Sequence, residues 1–247
     1  MKKALLAILT TILALVVVKS QDLTLQQILD GHFKAVGQDK LVKINTIKLT
    51  GKLETQGMEF PFTVYLKRPN KMRVEAEVMG STMVQAFNGT TGYMIAPWTG
   101  SMDPADVNEE QLKDFKKQAN MDDELFEYDK KGDKLEVVGT EDLDGNKHYK
   151  LKFTAKPEAE GAEGDVTYYF IDSKTFLISK TVSERNFNGS MVEVEEYQSN
   201  YKPVEGVSMA FTSETKAQGN TVTKSNIETI TFNEDVKDEI FEKPVKN

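Results

Sequence analysis

The chain has 247 residues, no cysteine, and 39 acidic against 31 basic residues, which gives a net charge of −8. Without cysteine it forms no disulfide bond and offers no cysteine at which a bacterial lipoprotein could be acylated. Nucleic acids and anionic membrane surfaces both bind clustered lysine and arginine, so the acidic balance argues against either as a partner.

The first 20 residues are typical of a cleavable signal peptide. An apolar run from Ala4 to Val18 follows two lysines and ends at polar residues. The run has about 15 residues, whereas a membrane-spanning helix needs roughly 20. The pattern predicts export to the periplasm with cleavage after Ser20, and the alternative is an uncleaved anchor. Cleavage would leave a single domain over 21–247, with 28 basic and 39 acidic residues and a net charge of −11.

One amphipathic helix is predicted at the start of this mature chain. Apolar residues recur at spacings of three and four from Leu25 to Val36, which places them on one helix face. Thr24 and Gln27 have the spacing of a capping box, and Gly37 is a suitable C-terminal stop.

Strands are predicted over most of the remaining chain. Apolar and polar residues alternate over 47–53, 58–66 and 72–78, which is typical of antiparallel strands with one buried face. Asn88-Gly89 predicts a two-residue hairpin before a strand at 93–95.

A helical interlude follows. Asn108 is a good N-cap for a helix with a thin apolar stripe, a second short helix is predicted over 122–128, and Gly132 ends the interlude. Strands then return from Leu135 to Phe232, with turn residues every 8–14 positions. This spacing predicts a mainly β fold, either a barrel or a strongly curved antiparallel sheet, with short helices covering its concave side.

Residues that could support catalysis or hold a metal are few. His32 and His148 lie in no metal-ligand spacing, and nucleophile-elbow and phosphate-loop motifs are absent. The acidic run 142–146 favours a hairpin over a calcium loop, because its glycine is one position early for an EF-hand. Glu193 and Glu195 share one face of a strand, which favours a solvated surface over a glycosidase pair. We therefore predict no enzyme, no catalytic residue, no metal and no cofactor.

The apolar residues suggest a ligand cavity. Six of the ten methionines lie between Met58 and Met102, and methionine suits surfaces that accept varied apolar partners. The alternative is that these side chains fill an ordinary core. The residues predicted to line the cavity are Phe60, Phe62, Val64, Leu66, Met72, Val74, Met83, Met94 and Trp98.

The order of motifs resembles the lipoprotein-carrier superfamily, which is LolA/LolB-like, and in particular the exported outer-membrane lipoprotein-sorting proteins. The segment Tyr65 to Arg73 reads YLKRPNKMR and is followed by Gln85, Asn88-Gly89 and Pro97. Similar residues at 28–41 and 170–178 extend the resemblance over about 24–244. The chain departs from the family's pattern in its extra loop at 157–164, in Met72 and Val74 where aromatic residues are common, and in the acidic residues Asp122, Asp123 and Glu124.

The resemblance implies an unclosed antiparallel β-barrel with helices over an apolar cavity. It implies a soluble periplasmic carrier that takes the acyl chains of lipoproteins, or another lipid, from an inner-membrane release complex and passes them to an outer-membrane acceptor. A lipid-binding sensor or interaction module on the same fold, without a transfer role, is the alternative. A periplasmic hydrolase is a third reading.

Arg68 is a candidate latch for the covering helices. It shares strand parity with Leu66, so it follows the apolar face, and Pro69 biases it toward an extended conformation. Carbonyl groups at helix ends lack intrahelical partners and would accept its hydrogen bonds. The hypothesis is that Arg68 holds the cover closed over an empty cavity; replacement by leucine should slow ligand release and change stability little. The alternative is a surface ion pair worth roughly 0–1 kcal/mol.

Overall fold

The structure is a computed structural model that describes residues 23–157, 159, 162–187 and 190–245. The predicted signal peptide and part of the 157–164 loop lie outside these residues. Among the helices of the described chain, none is both long enough and apolar enough to cross a membrane.

Thirteen strands form one antiparallel sheet, in the order β6-β5-β4-β3-β2-β1-β13-β12-β11-β10-β9-β8-β7. Pairing of the first strand with the last joins the two halves of the chain. The edge strands β6 and β7 are not paired with each other, so the predicted unclosed, mainly β fold is confirmed. The strands are β1 (Thr46–Thr55), β2 (Met58–Lys67), β3 (Lys71–Val78), β4 (Ser81–Phe87), β5 (Gly92–Ile95), β6 (Ala105–Asp106), β7 (Lys134–Leu143), β8 (Asn146–Thr154), β9 (Val166–Asp172), β10 (Ile178–Phe187), β11 (Ser190–Val204), β12 (Val207–Ala217) and β13 (Asn220–Phe232).

Short helices accompany the sheet, and the first is as predicted. The Thr24 hydroxyl accepts a hydrogen bond from the Gln27 amide, and Gly37 ends the helix at φ 82°, a left-handed conformation that favours glycine. The helices are α1 (Leu25–Val36), α2 (Gln38–Leu41), α3 (Glu109–Gln118) and α4 (Tyr128–Lys131), with 3₁₀ turns at Pro97–Thr99 and Asp238–Phe241.

Two local predictions were wrong. The helix expected over 122–128 is a turn followed by α4, and the Asp123 carboxylate accepts a hydrogen bond from the Leu125 amide at 2.9 Å. Such a local bond competes with helical pairing. Asn88-Gly89 does lie in a hairpin between β4 and β5, but the connection has four residues instead of the expected two, because the Asn88 side chain accepts hydrogen bonds from the amides of Thr90 and Thr91.

The helices cover one face of the sheet, which we call the inner face. Ile28 and Leu29 of α1 pack on β7–β10 together with Leu125. Leu41 of α2 lies in a second cluster, over β1, β12 and β13. Phe115 of α3 packs on β3 and β4. The core therefore lies between the inner face and these helices.

Candidate functional site

The strand register brings eight of the nine predicted cavity residues onto the inner face. Directly paired residues of antiparallel strands project to the same side. The pairs run in three rows across the sheet, and β1 adds the pair Leu53–Phe60. The rows are Leu66–Met72–Phe87, Val64–Val74–Gln85–Met94 and Phe62–Ala76–Met83. Trp98 does not join them, because the chain has left β5 and Trp98 lies exposed on the 3₁₀ turn that follows.

This face is covered at one end and more open at the other. Met72 is fully buried and packs with Phe87 and with Phe115 of α3, while Leu66 and Val74 lie at the border of that cluster. The residues farther along the strands are only half-buried: Phe60, Phe62, Val64, Met83 and Met94.

Phe62 is flanked by small residues in the half-buried part. Its neighbours across the two strand pairs are Gly51 and Ala76, the smallest side chains available. Gly51 is required there, because a Cβ atom would come within 2.4 Å of the Asn226 carbonyl oxygen. Small and large residues therefore alternate along this row, so the apolar surface of the inner face is uneven there.

Arg68 lies at the covered end and bonds to two separate elements. Its Nε donates to the Ile44 carbonyl at 2.7 Å, and its Nη2 donates to the Leu41 carbonyl at 3.1 Å. Its two terminal nitrogens also form a pair of hydrogen bonds to the carboxylate of Asp122, at 2.9 and 2.6 Å. Arg68 thus joins the end of α2 to the segment that follows α3, and carbonyls near a helix end are among its acceptors.

Three consecutive acidic residues fasten this segment, residues 120–125, which we call the strap. Asp122 binds Arg68 at the end of β2. Asp123 lies 2.9 Å from Nε2 of His32 on α1. Glu124 accepts a hydrogen bond from the hydroxyl of Tyr169 on β9. The strap is thereby tied to three separate parts of the fold. Its apolar residues Met121 and Leu125 are buried on either side of the three acidic residues.

His32, the histidine in this set, is fully buried, and its surroundings shift its pKa. Burial alone would lower the pKa of His32, but the hydrogen bond and charge of Asp123 outweigh it, and the pKa is raised above its ordinary value. Nδ1 faces the Phe176 carbonyl at 2.8 Å, so both ring nitrogens face acceptors and the doubly protonated form satisfies both. The pKa of Tyr169 is raised well above its usual value, mainly by burial and also by the charge of Glu124.

Sequence reasoning noted the three acidic residues but missed their role as anchors. Each has its partner far along the chain, so strand and helix periodicity carried no sign of the pairing. The only local signal was that the acidic run is bounded by the apolar Met121 and Leu125.

Comparisons with known proteins identify the fold. No family model matches the sequence, and no curated protein matches it. Among solved structures, a LolA superfamily protein from Nitrosomonas europaea superposes with a TM-score of 0.58 at 14% identity, over 90% of this chain and 99% of that one. The protein has a LolA-like fold.

Two further structures agree. A DUF1329 family protein from Desulfovibrio piger gives a TM-score of 0.58 at 13% identity, over 87% of this chain and 97% of that one. A domain described as an outer membrane lipoprotein-sorting protein, from Vibrio parahaemolyticus, gives 0.56 at 11% identity over the same shares. Identities this low establish the LolA-like fold alone, and none of the three structures carries an enzyme's name.

The polar residues considered for chemistry have structural partners in this LolA-like fold. His148 is buried, with its ring nitrogens 2.8 Å from the Asn146 carbonyl and 3.0 Å from the Ser179 hydroxyl. Asp142 accepts from the Gly145 amide in the β7–β8 hairpin, as the hairpin reading predicted. Glu195 forms an ion pair with Lys180, and this hydrogen bond lowers the pKa of Glu195. Among the described residues, no group of three or more His, Asp and Glu side chains could hold a metal ion.

A depression of about 400 Å³ lies on the opposite face of the sheet under the C-terminal segment. Arg73 crosses it and donates to the Tyr93 hydroxyl and to the Ile240 carbonyl, both at 2.7 Å. This arginine therefore fastens the C-terminal segment to the sheet. The inner face, being apolar and partly uncovered, remains the stronger candidate for a ligand site of the LolA-like fold.

Proposed function

We propose that this protein is a periplasmic carrier that binds the acyl chains of lipoproteins or other lipids and transfers them toward the outer membrane. The observation that carries the proposal is the half-buried apolar inner face, which lies beside a cover fastened by polar contacts. The LolA-like fold supports it, since a structure of this fold is described as an outer membrane lipoprotein-sorting protein.

The inner face suits an acyl chain energetically. Each CH₂ group that leaves water contributes about 0.8 kcal/mol, so eight methylenes laid along the face contribute about 6 kcal/mol before the cost of ordering. The contact surface is supplied by flexible methionines and by aromatic rings, which adapt to chains of different length and curvature. The expected selectivity is therefore for acyl chains as a class.

In this proposal Arg68 acts as the latch of the empty carrier. Its bonds to Asp122 hold the strap closed when no ligand is bound. Entry of an acyl chain displaces α3 from the inner face and breaks these bonds, so the empty closed state competes with the loaded state and favours release.

The proposal is tested with protein purified from its own host. Native mass spectrometry should detect co-purified acyl lipid, and delipidated protein should bind a fluorescent fatty-acid probe in a saturable manner. Protein that carries no lipid and leaves the probe unbound would contradict the carrier function. Hydrolysis of an acyl ester during the incubation would instead support an enzyme.

A further inference from the structure

One rim of the sheet gathers most of the exposed large apolar side chains. Antiparallel pairing places the tips of the β1–β2, β3–β4 and β12–β13 hairpins at the same end of the sheet, together with the β5–β6 loop and the start of β11. Of the ten large apolar residues exposed in the described chain, six lie here. They form the apolar rim: Met58, Met79, Trp98, Met102, Met191 and Val222.

The hairpin tips of this rim carry no charge, and the β5–β6 loop, residues 96–104, carries only Asp103. The tips comprise residues 55–58, 78–81 and 217–220, none of which is Asp, Glu, Lys or Arg. At the chain's average of 28% charged residues, these 21 positions would hold about six charges, and they hold one. The turns at the opposite rim do carry charge, for example Lys67, Lys71 and Glu205. At the same end of the sheet the β8–β9 loop is charged, for example at Lys156 and Asp165, so the weakly charged surface is confined to the part of the rim from β6 to β11.

Neither turn geometry nor core packing explains Met79. It has a φ of 54° at the first position of the β3–β4 turn, a conformation that favours Asn, Asp or Gly. Its side chain is 86% exposed, so it adds nothing to the core. Met79 thus serves neither the turn nor the core, and its exposed side chain is available for contact outside the molecule.

We propose that the apolar rim is a membrane-contact surface that seats in the interfacial region of a lipid bilayer with little net charge. Tryptophan is suited to that region because its ring is apolar and its N–H is polar, and methionine is a flexible apolar side chain that adapts to varied apolar partners. Glu54, Glu59 and Glu77 stand just behind the tips. These carboxylates repel anionic lipid headgroups and are costly to bury, so only the tips of the rim insert into the bilayer.

The apolar rim is continuous with the candidate ligand site. Phe60 lies on β2 two residues from Met58, and Met83 lies two residues from Ser81 at the β3–β4 tip. A bilayer seated on the rim would thus face the half-buried end of the inner face. The role of this contact in acyl transfer rests on the proposed function, whereas the contact itself is tested independently.

Trp98 is the only tryptophan and therefore reports on the rim directly. Phosphatidylcholine vesicles added to the mature full-length chain should shift its emission to the blue, and brominated acyl chains should quench it. The double variant Met58→Asp with Met79→Asp should weaken vesicle partitioning at least about fivefold. The matched control is Val138→Asp, an exposed position on the edge strand β7 away from the tips, which should partition like the wild type.

An unchanged Trp98 emission with vesicles would overturn the inference, as would a shift confined to anionic vesicles or an equal loss in the Val138→Asp control. Fatty-acid probe binding, measured in the same proteins, separates this outcome from the proposed function. Probe binding without a vesicle response would refute the rim contact alone. A vesicle response without probe binding would refute the carrier and leave the membrane contact standing.

Discussion

Replacing Asp122 by asparagine isolates the latch from the other contacts of Arg68. Asparagine keeps the size of the side chain but removes its charge and one of its two acceptor oxygens, while the bonds from Arg68 to Ile44 and Leu41 remain. The side chains of Arg68 and Asp122 are 23% and 27% exposed, so this ion pair is intermediate between a surface pair and a buried pair. We therefore expect the closed strap to lose about 1–2 kcal/mol.

This loss should appear in ligand exchange. Because 1–2 kcal/mol corresponds to a factor of about 5–30 in a two-state ratio, the variant should bind a fatty-acid probe more tightly by up to that factor. Stopped-flow transfer to acceptor vesicles should show correspondingly slower release. Arg68→Leu should act in the same direction, but it should also lower stability because it removes the carbonyl bonds, which revises the expectation from sequence.

The matched control is Asp165→Asn, which breaks the ion pair between Asp165 and Lys117 of α3. Both side chains are well exposed, at 77% and 63%, so affinity and release should stay at wild-type values. The latch is refuted if Asp122→Asn lowers the free energy of unfolding but leaves probe affinity and release rate unchanged. Asp122 would then be a structural ion pair only.

Three further predictions concern the inner face, the buried histidine and the N-terminus. Phe62→Asp should abolish fatty-acid probe binding and leave the circular dichroism spectrum intact, because a carboxylate on the half-buried part of the inner face repels an acyl chain but can reach water. Thr63→Asp on the opposite face should bind the probe normally, and an unfolded Phe62→Asp protein would support a plain core instead. Because the pKa of His32 is raised beside Asp123, its stabilisation is complete below the unfolded value of 6.5 and is lost as pH rises through the folded pKa. His32→Gln should therefore cost more unfolding free energy at about pH 5.5 than at about pH 8.5, and equal losses in urea titrations would refute this sign. Intact-mass measurement of periplasmic protein should give an N-terminus at Gln21. Retention of residues 1–20 would contradict the predicted cleavage.

The elements that follow from local chemistry were predicted correctly from sequence. The capping box and the terminal glycine of α1 each act within one helix turn, and alternation correctly grouped Phe60 to Leu66 on one face of β2 and Met72 with Val74 on one face of β3. Met83 and Met94 were chosen as methionines, and the strand register places them on the same face. Trp98 was grouped with them because it is apolar and close in sequence to Met94. The strand ends at Ile95, however, so parity no longer applied beyond it.

Contacts between distant segments were beyond the reach of periodicity. Arg68 and Asp122 are 54 residues apart, and His32 and Asp123 are 91 residues apart. The sequence pattern showed that Arg68 follows the inner face and needs acceptors, and the carbonyl of Leu41 at the end of α2 is one of them. The sequence could not single out Asp122 as the partner of Arg68, because surface carboxylates far outnumber those that pair with a residue distant in the chain.

In the proposed carrier, the balance between the closed and the loaded state should depend chiefly on the polar contacts of the strap. The apolar side of α3 buries little, since Phe115 is its only buried residue. When α3 leaves, Met72 and Phe87 lose that contact, but an acyl chain on the inner face would cover them again, so the apolar terms nearly cancel. The bonds of Asp122 have no such replacement from an acyl chain and are exchanged for water. Small changes in these bonds should therefore shift the distribution between empty and loaded states, whereas conservative changes in the apolar stripe of α3 should shift it less.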